Sequence, residues 1–226
     1  LTFSYLPSDW SNVSLNLNTD RVTKYTYVGN SKVQYQFQTS LGGMLDFRND
    51  PFEPTRGWTL RTSLGWGGQI GNDTSYVWIQ PAARVYQPLV WRFLSAFALE
   101  GAKFLNNTTA DGAAKVIYLG GSRTVRSYTY GSLKAVADPG QSLRPMYLRS
   151  SAELRLNLPL SLQAVGFVDW ARIWNEGQDP DFTDLEKARI GYGTGLRYRF
   201  SLLSLRFDYS FGRGPEKWVF DLAQAI

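Results

Sequence analysis

The chain is predicted to be all-β: a transmembrane antiparallel up-and-down β-barrel of about twelve strands, with a long loop folded into its lumen. Three observations lead to that class. Apolar and polar residues alternate with a period of two through most of the 226 residues, as in strands with two unlike faces. The alternating segments are long, residues 31–46 among them, against about 5–6 residues in an ordinary globular strand. Finally, the polar faces carry Gln, Ser, Arg and Glu on many segments at once, which suits a polar lumen.

Strands are expected near residues 1–7, 10–18, 21–29, 31–46, 57–70, 74–87, 91–105, 144–157, 162–174, 189–200, 204–213 and 217–226. The first three are short and weakly bounded, so ten is the fallback count. An even number keeps both chain ends on one side, as in bacterial single-chain barrels. In the fourth segment Val33, Tyr35, Phe37, Thr39 and Leu41 alternate with Lys32, Gln34, Gln36, Gln38 and Ser40. In the fifth, Trp58, Leu60, Leu64 and Trp66 oppose Thr59, Arg61 and Ser63. The eighth sets Leu148, Ala152, Leu154 and Leu156 against Arg149, Ser151, Glu153 and Arg155. Near the end Leu205, Phe207, Tyr209 and Phe211 alternate with Arg206, Asp208 and Ser210. Aromatics such as Trp58, Trp91, Trp174 and Trp218 fall near segment ends, where interfacial girdles would place them. Pattern alone leaves a large soluble β-sandwich or a lipocalin-like barrel as the rival.

Connections alternate between tight and long. "QPLV" (87–90), "LPLS" (158–161) and "FSLLS" (200–204) are tight, "DPFEPTRG" (50–57) is slightly longer, and 107–143 and 175–188 are long. Tight turns are expected toward the periplasm and long loops outside. The whole of 1–226 is expected to form a single barrel domain.

Composition excludes much chemistry. Cysteine and histidine are both absent, which removes disulfides, thiolate metal sites, the usual general base and the Ser-His-Asp arrangement. No enzyme activity is expected. The net charge of +5 is scattered along the chain rather than clustered, so nucleic acid is not expected as a partner. No apolar run reaches the ~20 residues of a transmembrane helix. The acidic loop "NEGQDPDFTDLEKA" lacks calcium-loop spacing, and no helix follows "GYGTG" (191–195) to make a phosphate cradle. Neither metal nor cofactor is expected.

One stretch asks for a lumen. "GGSRTVRSYTYGSL" (120–133) places Arg123 and Arg126 among Gly, Ser, Thr and Tyr, a composition that a solvent loop does not need.

In this order, several motifs resemble the BamA/TamA superfamily of outer-membrane assembly and translocation barrels, which includes the Sam and Toc channels. "DFRNDPFEPTRGW" (46–58), with Pro54, Thr55, Arg56 and Gly57, resembles the family's periplasmic turn. "LGGSRTVRSYTYGSL" (119–133) resembles the family's V-R-G-Y/F loop, whose tip here is Gly120, Gly121 and Ser127. Ser127 stands where the family has glycine, and serine adopts φ > 0 poorly. "AELRLNLPL" (152–160) and "VGFVDWARIW" (165–174) resemble the two strands that receive the loop. "KWVFDLAQAI" resembles the terminal strand that signals assembly, with Trp218, Phe220, Leu222 and Ile226 toward lipid. The likeness covers residues 44–226. Family barrels have sixteen strands behind soluble POTRA domains, so this chain reads as a shortened member or a fragment.

The resemblance implies that Val125 and Arg126 enter the lumen, Arg126 is pinned to Glu153 and Asp169, and Tyr128 packs beside it. Independently, Glu153 lies on the polar face of its strand, and a confined guanidinium needs carboxylate partners. The resemblance also implies an outer membrane, in a Gram-negative-type bacterium or an organelle, with lipid and unfolded outer-membrane or secreted proteins as partners. The implied mechanism is lateral seam opening and strand templating. A minimal anchor or narrow pore is the alternative. An open edge in lipid would call for a second copy, so a homodimer is the expectation wherever the chain does not close by itself.

Overall fold

The computed structural model describes residues 2–25, 31–69, 74–108, 117–134, 144–175, 187–200, 203–212, 214–215 and 218–223. Its barrel strands are β1 (Thr2–Ser8), β2 (Ser11–Tyr25), β3 (Ser31–Asp46), β4 (Gly57–Gln69), β5 (Thr74–Pro88) and β6 (Phe93–Thr108). They continue, after the long loop, with β9 (Pro145–Asn157), β10 (Leu162–Asn175), β11 (Arg189–Phe200), β12 (Leu203–Ser210) and β13 (Trp218–Ala223). These eleven form one antiparallel sheet in sequence order, while β7 (Tyr118–Leu119) and β8 (Leu133–Lys134) pair separately at the base of the loop.

Among the described residues the sheet has eleven strands, because residues 11–25, spanning parts of the two strands expected at 10–18 and 21–29, form the single β2. Its Asn18, Thr19 and Asp20 pair with Gln38, Phe37 and Gln36 of β3 without interruption. The sixteen-residue β3 offers a full-length template there, and unbroken ladder pairing prevails over the weak turn tendency of "NTD". The odd number starts β1 at the opposite end of the sheet from the end of β13.

Burial is inverted relative to a soluble protein. Ser151, Glu153 and Arg155 of β9 and Arg206, Asp208 and Ser210 of β12 are buried. Their outward neighbours Leu154, Phe207, Phe220 and Leu222 are exposed. Such a surface is stable only where hydrocarbon covers it, and the backbone groups are satisfied within the ladder. Among the described residues no helix is long and apolar enough to cross a membrane; the strands cross it.

The sheet curls. Arg199 of β11 reaches Glu53, in the turn between β3 and β4, at 2.9 Å, although four strands lie between β4 and β11 in sheet order. Two glycines help the inner wall to close on aromatic rings. Gly65 and Gly67 face Trp78 and Tyr76 across the β4–β5 ladder, and a Cβ at either would strike the ring. Tyr76, Trp78 and Phe104 form one apolar cluster.

The 46–57 turn is built from its own side chains. Asn49 Oδ1 accepts from the Thr55 and Arg56 amides at 3.0 and 2.9 Å, and Arg48 forks onto Asp46. Pro54 is fully buried, while Thr55 and Arg56 are exposed. Gly57 has φ +109°, with Phe47 and Arg48 backbone where a Cβ would stand. Asp50 Oδ1 accepts from the Phe52 and Glu53 amides, and these amide hydrogen bonds, Glu53 first, hold its carboxyl below the usual range. A depressed folded pKa makes this contribution full above the ordinary carboxylate range and lost as pH falls through the lower folded value. Hydrogen-exchange protection at Phe52 and Glu53 is therefore expected to fall below about pH 4. In Asp50→Asn it should be weaker at neutral pH and no longer change there; an unchanged profile would dismiss the contribution.

Candidate functional site

The loop between β6 and β9 turns back against the polar inner face of the sheet. Gly120 and Gly121, at φ +106° and +96°, reverse the chain where L side chains are strained. The tip is closed by hydrogen bonds from Gly121 N to Tyr128 O at 2.7 Å, Thr124 N to Gly121 O at 3.1 Å and Tyr128 N to Val125 O at 3.1 Å. Thr124 Oγ1 accepts from Gly120 N at 2.7 Å. Ser127 is not among the residues with positive φ, so this tip forms without the glycine found there in the resembling motif.

Arg126 is 3 % exposed and meets four neighbours. Its Nε and Nη2 fork onto Asp169 of β10 at 2.8 and 2.9 Å. Nη1 donates to Asp208 of β12 at 3.0 Å, and Nη2 donates to Ser151 of β9 at 3.0 Å. Nη2 also lies 2.9 Å from Glu153 Oε1. The Arg126 amide donates to Asp169 as well, at 3.1 Å, tying backbone and side chain to one carboxylate. Burial alone would favour deprotonation of this loop guanidinium. The carboxylates of Asp169, Glu153 and Asp208 outweigh it, so its pKa stands above the ordinary value.

The cage extends outward by charge alternation. Glu153 also takes Arg155 at 2.8 Å and Arg197 at 2.6 Å, and Asp208 takes Arg206 at 2.7 Å. Fully desolvated charges are tolerable only when partnered in this way. Period two supplies the geometry. Glu153, Asp169, Arg197 and Asp208 all lie on inward positions in successive rows of the register, Asp169 opposite Gly191, Glu153 opposite Phe167, Asp208 opposite Gly195 and Arg197 opposite Gln163.

The structure brings Arg126, Glu153 and Asp169 together. The pattern did not show which other residues would meet them. Asp208, Ser151 and Phe167 complete the surroundings, with the Phe167 ring 3.7 Å from the guanidinium carbon. The Phe167 ring covers the arginine. Tyr128 is clustered with Val125, Leu119, Leu133, Tyr147 and Ala171.

Ser127, wholly buried, rests on backbone. A Cβ on Gly191 or Gly212 would stand 2.5 or 2.6 Å from Ser127 Oγ, and one on Gly214 would strike the Ser127 carbonyl. The inward positions of β11 run Gly191, Gly193, Gly195, Arg197, Arg199, so its outer half is a groove without side chains. Glycine at every second position was the available signal: it marks a strand face on which something packs closely.

The loop also reaches the terminal strand. Ser122 Oγ donates to Asp221 of β13 at 3.0 Å, and Arg123 lies 3.8 Å from the same carboxylate. Trp218, Phe220 and Leu222 are exposed on the outer face of β13; Ile226 and the acidic loop 176–186 lie outside the described residues. Among the described residues no His, Cys, Asp and Glu cluster could hold a metal ion.

Comparison with known proteins places these features. The family model described as the Omp85 superfamily domain matches residues 4–222. The fold is similar to that of the crystal structure of BamA from Haemophilus ducreyi lacking POTRA domains 1-3, with a TM-score of 0.69 and 17 % identity over 99 % of this chain and 51 % of that one. The chain thus spans about half the length of that structure. No curated protein sequence matches it. A barrel with lipid-facing apolar strands, a buried charge cage and a family model matched over nearly its whole length belongs to the Omp85 superfamily of outer-membrane proteins.

Proposed function

We propose that this barrel promotes the insertion of proteins into the outer membrane, or their translocation across it, by opening laterally between β1 and β13. The observation that carries the reading is the edge pair. β1 and β13 stand at the two ends of the sheet, and among the described residues no ladder joins them. β13 holds its neighbour β12 through only six residue pairs, against thirteen between β9 and β10. An unpaired edge in a membrane is a template, because an incoming strand finds there the backbone partners that lipid cannot provide. Energy comes from folding of the client, and no catalytic residue is needed. The Asp221 contact makes the loop a brace on the moving strand.

The absence of native cysteine makes a disulfide test clean. Leu222→Cys is paired with single cysteines along β1, and the protein is reconstituted in vesicles with an unfolded outer-membrane protein. Faster client folding by the reduced protein, lost on oxidation within one chain, is the expected outcome. Crosslinking within one chain with no effect on client folding would instead favour a minimal anchor or narrow pore. Crosslinks only between chains would make the working unit a homodimer.

A further inference from the structure

The lumen holds a second space that adjoins the Arg126 cage, with Arg126, Ser151 and Asp169 forming one side of its lining. A cavity of about 500 Å³ lies between the loop and the wall of β4, β5 and β6, a size ordinary for small-ligand sites. Arg61, Arg84, Arg123, Arg126, Arg149 and Arg206 line it against two carboxylates, Glu100 and Asp169.

The charges do not balance. Arg126 is held by Asp169, Glu153 and Asp208. Arg149 pairs with Glu100 at 2.6 Å, Arg206 with Asp208, and Arg123 approaches Asp221. Arg61 of β4 and Arg84 of β5 have no ion pair or hydrogen bond among the described residues. They occupy inward positions on adjacent strands, Arg61 opposite Ala82 and Arg84 opposite Thr59. Arg206 adds an unmet donor: its residue is 7 % exposed, and its buried Nη2 has no hydrogen-bond partner. Arg149 Nε is likewise buried and unmet.

A chain selected only for a stable lumen would not face two guanidinium groups without ion pairs into a shared cavity, since like charges repel and partial burial opposes the charge of Arg84. Donors left without acceptors in a walled space fit an anion that brings its own oxygens. We propose that this cavity binds a dianionic phosphoryl group, such as a phosphate monoester or pyrophosphate. Arg61 and Arg84 supply the two missing charges, and Arg206 and Arg149 supply further donors. A phosphoryl group carries about −1.5 to −2 at neutral pH and offers several acceptors, and guanidinium forks match it bidentately. Exposed Arg61, and Arg123 with 79 % of its side chain exposed, stand at the mouth. The site does not depend on seam opening.

The test is thermal unfolding and calorimetric titration of the detergent-solubilised protein with pyrophosphate and with phosphate, against acetate at matched ionic strength. Saturable stabilisation by pyrophosphate, weaker for phosphate and absent for acetate, is expected. Arg84→Gln and Arg61→Gln should each weaken binding about tenfold or more, as loss of a charge-assisted fork implies. Arg92→Gln, in the β5–β6 turn beside Trp91, should leave binding unchanged. Without ligand, Arg84→Gln should melt no lower than the parent, because it relieves repulsion. Equal responses to acetate and pyrophosphate would reduce the effect to screening and overturn the site. So would unaltered binding in both variants, or a ligand-free Arg84→Gln that melts well below the parent, which would make the arginine structural.

Discussion

Arg126→Ala is expected to release the loop from the barrel wall and to cost about 3–5 kcal/mol of stability, the range for removing one partner from a buried ion pair. The cost comes from what remains. Asp169, Glu153 and Asp208, all at or below 3 % exposure, would face one another without the cation that now lies 2.8–3.0 Å away. Thermal unfolding in detergent should report the loss, and trypsin should cut after Arg123 faster than in the parent. Arg126→Lys should recover only part, since an ammonium keeps the charge but cannot fork onto Asp169 while reaching Asp208 and Ser151. Full stability with unchanged protection in Arg126→Ala would mean that the apolar cluster of Val125, Tyr128 and their neighbours holds the loop.

Gly214→Ala is expected to reach a similar end by sterics alone. The added methyl would fall on the Ser127 carbonyl, with backbone on both sides of the contact, so no side-chain rotation relieves it. Overpacking of this kind costs about 1–3 kcal/mol. The displaced tip would draw Arg126 off Asp169, whose fork tolerates little movement. Because both changes act on one docked loop, the double variant Gly214→Ala/Arg126→Ala should be little worse than Arg126→Ala alone. A double-mutant cycle measures that coupling, and strict additivity would separate the glycine shelf from the charge cage.

These outcomes rest on residues that were unequally visible from the sequence. Glu153 and Arg155 alternate with Leu154 and Leu156, and that period alone puts the carboxylate on the inner face. Arg126 and Asp169 came into view through the order of motifs, because a loop arginine has no periodicity to place it. Asp208 lay on the polar face of its segment from the start, yet nothing along the chain says that it meets Arg126, 82 positions away. Phe167 was less visible still. Period two puts it on the face of Asp169, yet only the docked loop shows its ring beneath the guanidinium.

What the sequence by itself determined is therefore local. Period two marks strands and assigns each side chain to a face, Gly and Pro mark the turns, and missing His and Cys remove whole classes of chemistry. These follow from backbone geometry and side-chain type within a few residues. Only the tertiary structure decided that residues 11–25 run as one strand, because pairing with β3 outweighs a weak turn tendency. It alone showed that Gly191, Gly212 and Gly214 form the shelf under Ser127, and that Arg61 and Arg84 share a cavity without carboxylates of their own. Each of these depends on which strand lies beside which and on how far the sheet curls. Both are set by the summed ladder and by packing across the lumen, quantities to which no single stretch of sequence has access.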